Sequence, residues 1–321
     1  MIKITGLLLF LLLNFLIISH LRQLFQYADI MGVVYGKKEI AEEVFDQIVK
    51  VNEKDKIFSE AVLWKSEGKV PVSAENTEKE QIVSLYQMKG QQGAVFGRGL
   101  CAGRYFTKGE SSVCLLDKET VRKIFGSDNV LGMKVKWGDG EYKIAGLLAG
   151  KQPLCIIPAK EGAFFDGIAM KKTKKASSSK MAFGILETAV GGIGLQRIDG
   201  ALYYMTACLI YFLMTAVFVF AFGIKAGRRK VVVILCMVLA AEILIMGIGL
   251  AAPGSDYLPS YWSDFDFFVQ LFKEKKVQVQ ELLHHQEFVS WQQMLGMWIR
   301  TVGMEMILGV SGGMCMIITH K

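Results

Sequence analysis

A hydroxyl nucleophile needs a base within hydrogen-bond reach and a third group to orient that base. Ser177, Ser178 and Ser179 stand directly before Lys180 but have no such partner in the pattern, and the four histidines form no organised arrangement with serine or carboxylate. These serines instead read as the lead-in to a helix carrying Met181, Ile185 and Leu186. Gly97-Arg-Gly-Leu-Cys-Ala-Gly103 fits neither the dinucleotide spacing G-x-G-x-x-G nor the phosphate loop G-x-x-x-x-G-K-[ST], so it reads as a turn region. His284 and His285 are adjacent, which points their imidazoles in different directions on a helix, and no third ligand is near. Cys101, Cys114 and Cys155 fall in one region, and Cys208, Cys236 and Cys315 in apolar runs. Cys114 reads as a small buried hydrophobe within Val113-Cys-Leu-Leu116, and a Cys101–Cys155 bridge stays open. The chain is read as non-catalytic, with no catalytic, cofactor-binding or metal residues.

The remaining charged residues are informative through their surroundings. Of 321 residues, 52% are hydrophobic, more than an ordinary soluble chain carries, although the central region has globular composition. The net charge of +7 is dispersed except at Lys171–Lys180 and Lys225–Lys230, and no nucleic-acid motif accompanies it, so nucleic acid is excluded as a partner. Apolar runs predict four transmembrane helices, at 1–21, 201–224, 231–251 and 298–318, since crossing a bilayer takes about 17–25 residues. The first follows Lys3 and lacks a small-x-small cleavage site, so it reads as an uncleaved anchor. Short basic loops stay in the cytoplasm, which places Lys225–Lys230 and both termini inside the cell membrane. The 22–200 domain and the 252–297 segment are then extracytoplasmic. Glu242 and Glu305 fall inside spans, with Arg300 near the outer end of the fourth. Carboxyls in lipid turn toward other helices, so these three are candidate intramembrane polar contacts, for packing or switching.

The outer domain carries the elements that must organise the rest. Ile40, Val44, Ile48 and Val51 mark one face of a helix over Lys37–Asn52. Ala61–Trp64, Val70–Ser73 and Gln81–Tyr86 read as separate short strands. Val113–Leu116 predicts a strand covered on both faces; Asp117 caps a helix with the stripe Val121, Ile124 and Phe125, and Gly126 closes it. Lys134–Trp137 and Glu141–Ile144 form a hairpin about Gly138-Asp-Gly140. Between the third and fourth spans, Tyr257, Tyr261, Trp262, Phe265, Phe267, Phe268 and Phe272 precede Lys273-Glu-Lys-Lys276, the composition of an interfacial helix capped at Ser263.

Gly103-Arg-Tyr-Phe106, Val113–Leu116, Ile124-Phe-Gly126, Val130-Leu-Gly132, Tyr142-Lys-Ile-Ala-Gly-Leu147 and Ile156-Ile-Pro158, in that order, resemble the periplasmic core domain of MacB-type ABC transporter permeases. The resemblance covers about residues 95–160, and the layout of one helix, a large outer domain and three helices is similar to FtsX-like permeases. It implies an α+β extracytoplasmic domain, a second permease as homodimer or heterodimer partner, a separate cytoplasmic ABC ATPase, and no cofactor. It also implies that movement of the helices is transmitted outward to export or extract a substrate. Lys225, Arg228, Arg229 and Lys230 then become the candidate ATPase-facing loop, shorter than the family's coupling segment. That shortness leaves an alternative open: a membrane-anchored binding, sensor or accessory subunit that has lost direct ATPase coupling.

Overall fold

Alternating polarity over residues 58–90 and 134–148 favours strands, and the structure assembles them into one mixed sheet. The computed structural model describes residues 2–35, 40–75, 79–90, 99–107, 109–150, 152–173, 179–190, 195–226, 265–284 and 288–317. The elements run α1 (Ile2–Phe25), β1 (Ile30–Tyr35), α2 (Glu43–Asp55), β2 (Phe58–Ala74), β3 (Glu80–Gly90), β4 (Leu100–Gly103), β5 (Val113–Asp117), α3 (Lys118–Phe125), β6 (Lys134–Trp137), β7 (Gly140–Leu148), β8 (Leu154–Pro158), β9 (Gly167–Lys172), α4 (Ser179–Val190), β10 (Leu195–Asp199), α5 (Gly200–Ala226), α6 (Phe265–His284) and α7 (Val289–Ile317).

These elements fall into two units. One comprises Met1–Asp29, Asp199–Leu271 and Gln292–Lys321; the other comprises Ile30–Ile198 and Phe272–Trp291. The second holds the ten-stranded sheet, ordered β10-β1-β9-β2-β3-β8-β5-β7-β4, with β6 pairing β2 and β7. Parallel pairing of β5 with β7 and of β3 with β8 is set among antiparallel neighbours, as befits an α+β domain.

Two apolar clusters cover one side of this sheet. Under α3, Val121 and Ile124 meet Val83, Leu85, Leu116, Ile144 and Ile157. Under α2 and α4, Ile48, Phe183 and Leu186 meet Met31, Val33, Leu63 and Ile168. The segment most legible in the sequence folds as expected. β5 is covered on both faces, and Asp117 starts α3 by accepting from the Thr120 amide at 2.9 Å. Gly126 ends α3 at φ 71°, a left-handed conformation that costs glycine nothing. Val135 opposes Tyr142 and Trp137 opposes Gly140 in the hairpin; Val135 and Ile144 are buried, whereas Tyr142 and Trp137, the latter beside the turn, are half-buried.

Three expectations are corrected. The helix expected from Lys37 begins at Glu43, because Ile40 is taken into a β-bridge with Phe165. Ala61–Trp64 and Val70–Ser73 are not separate strands but one, β2, continued through a register shift between Ser66 and Gly68 that leaves Glu67 unpaired in the ladder while Gly68 pairs with Leu85. The glycine-rich turn region ends in strand: Leu100–Gly103 is β4, paired with β7.

In the other unit, α1 and α5 are long and apolar enough to cross a membrane, the two such helices among the described residues. The third expected span, 231–251, lies outside the described residues. The fourth coincides with α7, a helix of 29 residues whose apolar run is interrupted by Arg300 and Glu305. Ser263, the expected cap of α6, also lies outside the described residues.

Candidate functional site

The unassigned face of the sheet carries a concentrated aromatic cluster. On β1, β9 and β2, side chains alternate between faces. Met31, Val33, Leu63 and Ile168 point to the α2/α4 side, which leaves Gly32, Trp64, Gly167 and Ala169 on the opposite side. Gly167 lies directly opposite Trp64, and a Cβ built on it would stand 2.7 Å from Trp64 Cζ2. A Cβ on Gly32 would collide with Trp291 Cζ2 and the Ile168 carbonyl. Absent side chains at these two positions leave the space that the indole rings of Trp64 and Trp291 occupy.

Phe288 and Trp291, at and just before the start of α7, pack there. Phe288 stacks on Trp64 with ring centroids 4.9 Å apart at 23°, and meets Trp291 at 4.9 Å and Tyr86 at 6.0 Å edge-on. Trp64 also meets Trp291 at 5.5 Å and 84°, the edge-to-face geometry that ring quadrupoles favour. Trp64, Phe288 and Trp291 are fully buried, and the indole N–H groups of both tryptophans have no hydrogen-bond partner among the described residues. An unpaired buried donor is tolerated where the apolar ring burial outweighs it, so this contact is organised by shape. It ties residues 272–291 to strands β1, β9, β2 and β3, elements far apart in sequence.

A second tie within this unit is polar. Arg197 on β10 pairs with Glu187 of α4, stands 3.9 Å from Glu274 of α6, and places its guanidinium 5.8 Å from the Phe183 ring centroid.

Residues within and beside the segments from Gly103 to Pro158 fasten the fold. Arg104 donates from both terminal nitrogens to Glu110, which also accepts from the Thr107 amide at 2.7 Å. Arg104, followed by Thr107, holds the Glu110 carboxyl down at about 2. Asp117, fully buried, accepts from Thr120 and, at 2.8 Å, from the Leu154 amide, joining β5, α3 and β8. Cys155 neighbours Cys114 rather than Cys101: the thiols of Cys114 and Cys155 hydrogen-bond in the core, raising the Cys114 thiol well above the usual range, while Cys101 is exposed. Ser179 is hydrogen-bonded by Lys172 at 2.6 Å, with both buried, and so pins the first turn of α4 to β9 away from solvent.

In the helical unit, the candidate polar contacts separate. Arg300 is exposed and donates to the Gly296 carbonyl of its own helix at 3.0 Å. Glu305 is fully buried, and neither carboxyl oxygen has a hydrogen-bond partner among the described residues. No ion pair joins these two among the described residues. Glu242, Arg228, Arg229 and Lys230 lie outside them, and Lys225 is in the last turn of α5. Sequence reasoning missed a closer contact. Asn14, a polar residue within the apolar α1, donates to the Phe10 carbonyl at 2.8 Å and accepts from the Tyr211 hydroxyl of α5. Trp298 of α7 donates to Thr206 of α5 at 3.0 Å, and Gly309 admits Met214 alongside it. An asparagine in a leucine run was the available signal for the first; nothing local to Thr206 announced the second.

No protein-family profile matches the chain, and no curated protein does. Among the solved structures similar to it are three transporter or permease domains. The periplasmic region of MacB from Actinobacillus actinomycetemcomitans is 16% identical, with a TM-score of 0.44 over 54% of this chain and 89% of that one. The extracellular domain of the noncanonic ABC-type transporter YknZ from Gram-positive bacteria is 14% identical, with a TM-score of 0.41 over 53% of this chain and 100% of that one. A permease-protein domain from Porphyromonas gingivalis is 16% identical, with a TM-score of 0.38 over 54% and 91%.

Proposed function

We propose that this chain is a permease-like membrane subunit of an ABC transporter of the MacB/FtsX type, coupling ATP hydrolysis by a separate cytoplasmic ATPase to movement of its outer domain. The observation that carries the reading is the ordered succession of family-like segments from Gly103 to Pro158. In the fold these segments become consecutive, contacting parts of one sheet-and-helix core, which in chain order follows the apolar helix α1 and precedes the apolar helix α5. A chance set of short motifs has no reason to occupy one contiguous core in order.

Connectivity supports transmission along the chain. Four residues, 26–29, separate α1 from β1, and β10 passes into α5 without a linker, where Asp199 accepts from the Ala201 amide at 3.1 Å. β1 and β10 are neighbours in the sheet, so both helices feed adjacent strands. Helix α7 starts at the aromatic cluster. A shift of these helices in the membrane would reach the sheet with little slack to absorb it. In this reading α1, α5, the 231–251 segment and α7 cross the cell membrane with both termini inside, and a second permease completes the assembly.

Purification of the full chain in mild detergent from its native membrane, with identification of its partners, tests the proposal. An ABC ATPase is expected to co-purify, and charge reversal at Arg228 and Arg229 is expected to release it. A second reading draws on the shortness of the Lys225–Lys230 loop: an anchored sensor or accessory subunit. Recovery of the chain with no ATPase under conditions that preserve a second permease favours that reading and overturns the first.

A further inference from the structure

Glu305 sits where nothing answers its charge. It is wholly buried on α7, and neither carboxyl oxygen has a hydrogen-bond partner among the described residues. At 3.6 residues per turn, Met294, Trp298, Thr301, Glu305 and Leu308 share one stripe of α7. That stripe packs on α5 to either side of the carboxyl. Seven residues before it, Trp298 donates to the Thr206 hydroxyl at 3.0 Å and meets the Tyr203 ring edge-on at 5.9 Å. Four residues after it, Gly309 leaves room for Met214. At about 1.5 Å per residue, Glu305 is closed in by contacts roughly 10 Å away in one direction along the helix and roughly 6 Å in the other.

The groups around it supply no counter-charge. From α5, Cys208 is within electrostatic reach of the carboxyl and hydrogen-bonds with Tyr204, and neither a thiol nor a phenol carries positive charge. Thr301, one turn earlier on the stripe, spends its hydroxyl on the Met297 carbonyl at 2.8 Å. Arg300 is exposed on another side of α7, where it donates to the Gly296 carbonyl. Asn14 of α1, which meets α5, is engaged with the Phe10 carbonyl and the Tyr211 hydroxyl. A carboxylate taken out of water without a partner is far costlier than a neutral acid with one unsatisfied O–H, so this packing suits the acid.

We propose that Glu305 is a proton-binding site at the α5–α7 contact: its carboxyl carries a proton while the two helices are packed, and giving that proton up weakens the packing. An ionised carboxylate regains solvation only by leaving the stripe, which loosens the Trp298 and Gly309 contacts that enclose it. Acid conditions therefore hold α5 on α7, and alkaline conditions release it. The inference takes from the transporter reading only that α5 and α7 lie in the membrane. It needs no ATPase partner, so the two fail on different measurements.

The test treats the full chain, in phosphatidylcholine nanodiscs, with dicyclohexylcarbodiimide from acid to alkaline pH. This apolar reagent captures a carboxyl in its protonated form, the acid O–H adding across one C=N bond, and the adduct is located by mass spectrometry of peptides. An adduct at Glu305 is expected, with a yield that declines as pH rises and with little reaction from a charged, water-soluble carbodiimide. Thermal unfolding supplies the link to packing: the midpoints of wild type and Glu305→Gln are expected to coincide in acid, and the variant to be the more stable in alkali. Absence of the adduct at every pH overturns the proposal, because the carboxylate is then ionised and paired. Equal reaction with the water-soluble reagent also overturns it, because the site is then open to water. Midpoints that differ by the same amount at every pH, or a Glu305→Gln variant that does not fold although it is the neutral isostere, overturn the link between the proton and the packing.

Discussion

Asp117 and Glu110 show how single carboxylates hold the family-like segments in place, by different physics. Asp117 is fully buried and accepts two backbone amides, from Thr120 at the start of α3 and from Leu154 on β8. Asp117→Ala removes a helix cap worth about 1 kcal/mol and leaves the Leu154 N–H buried without an acceptor, at about 1–3 kcal/mol more. Amide exchange at Thr120 and Leu154 should accelerate by a factor corresponding to about 2–4 kcal/mol, with the β1–β9 region unchanged. Glu110 lies on the surface, so its contribution is read through pH. Its carboxyl is near 4.5 when unpaired and about 2 when Arg104 and Thr107 hold it. A group depressed in the folded state stabilises fully above its unfolded value and loses that contribution as pH falls toward the folded one. Protection of the Thr107 amide, corrected for intrinsic exchange, is therefore expected to decline between about pH 4.5 and pH 2. Glu110→Gln should weaken that protection at neutral pH and flatten the decline; an unchanged profile in the variant would remove the clamp from the account.

At the scale of elements, the aromatic cluster is the feature that binds remote parts of the chain. Truncating a buried tryptophan costs about 3–5 kcal/mol, and an edge-to-face pair contributes about 0.5–1.5 kcal/mol beyond the area it buries. A Trp64→Ala, Trp291→Ala double-mutant cycle should return a coupling of that latter size, whereas Trp64→Ala with Val121→Ala, from the separate cluster under α3, should be additive. The contrast with the sequence reading is instructive. β5, α3 and the hairpin were legible because their determinants are local: an apolar run, a cap three residues from its amide, glycine where the chain turns left-handed. The Trp64–Phe288–Trp291 contact was not, because its partners are more than two hundred positions apart and the space it fills is left by glycines, which make no apolar pattern. β2 was read as two pieces for a related reason: Gly68 looks like a break locally, but pairing with β3 on the far side carries the strand through it. Of the candidate site, Glu305 was found as a buried carboxyl from its place in an apolar run. The Asn14–Tyr211 bond depends on which faces of α1 and α5 meet, which periodicity in two almost wholly apolar helices does not encode.

The whole molecule interleaves its two units along the chain, and this makes a prediction about folding. The sheet unit is completed only when Phe272–Trp291 returns to it after α5 and the segment that follows. A fragment ending at Ile198 keeps every strand through Ile198 and both apolar clusters, yet leaves Trp64, Tyr86, Gly32 and Gly167 bare on one face. Contiguous apolar surface of this kind drives association in solution. The fragment spanning 30–198 is therefore expected to bind a hydrophobic dye, show Trp64 emission shifted toward that of a solvated indole, and self-associate. Adding a peptide of residues 272–291 should reverse all three, and the same peptide carrying Phe288→Ala and Trp291→Ala should not. If the 30–198 fragment is monomeric with Trp64 emission already that of a buried ring, the returning segment is not needed to complete the domain, and α7 would have no grip on the sheet through which to act. If the peptide restores it, the sheet unit is assembled by the same residues that start α7, so completing the fold and connecting it to that helix are one event. That is the arrangement the proposed coupling requires, since displacement of α7 is then felt by the sheet through the residues that complete it.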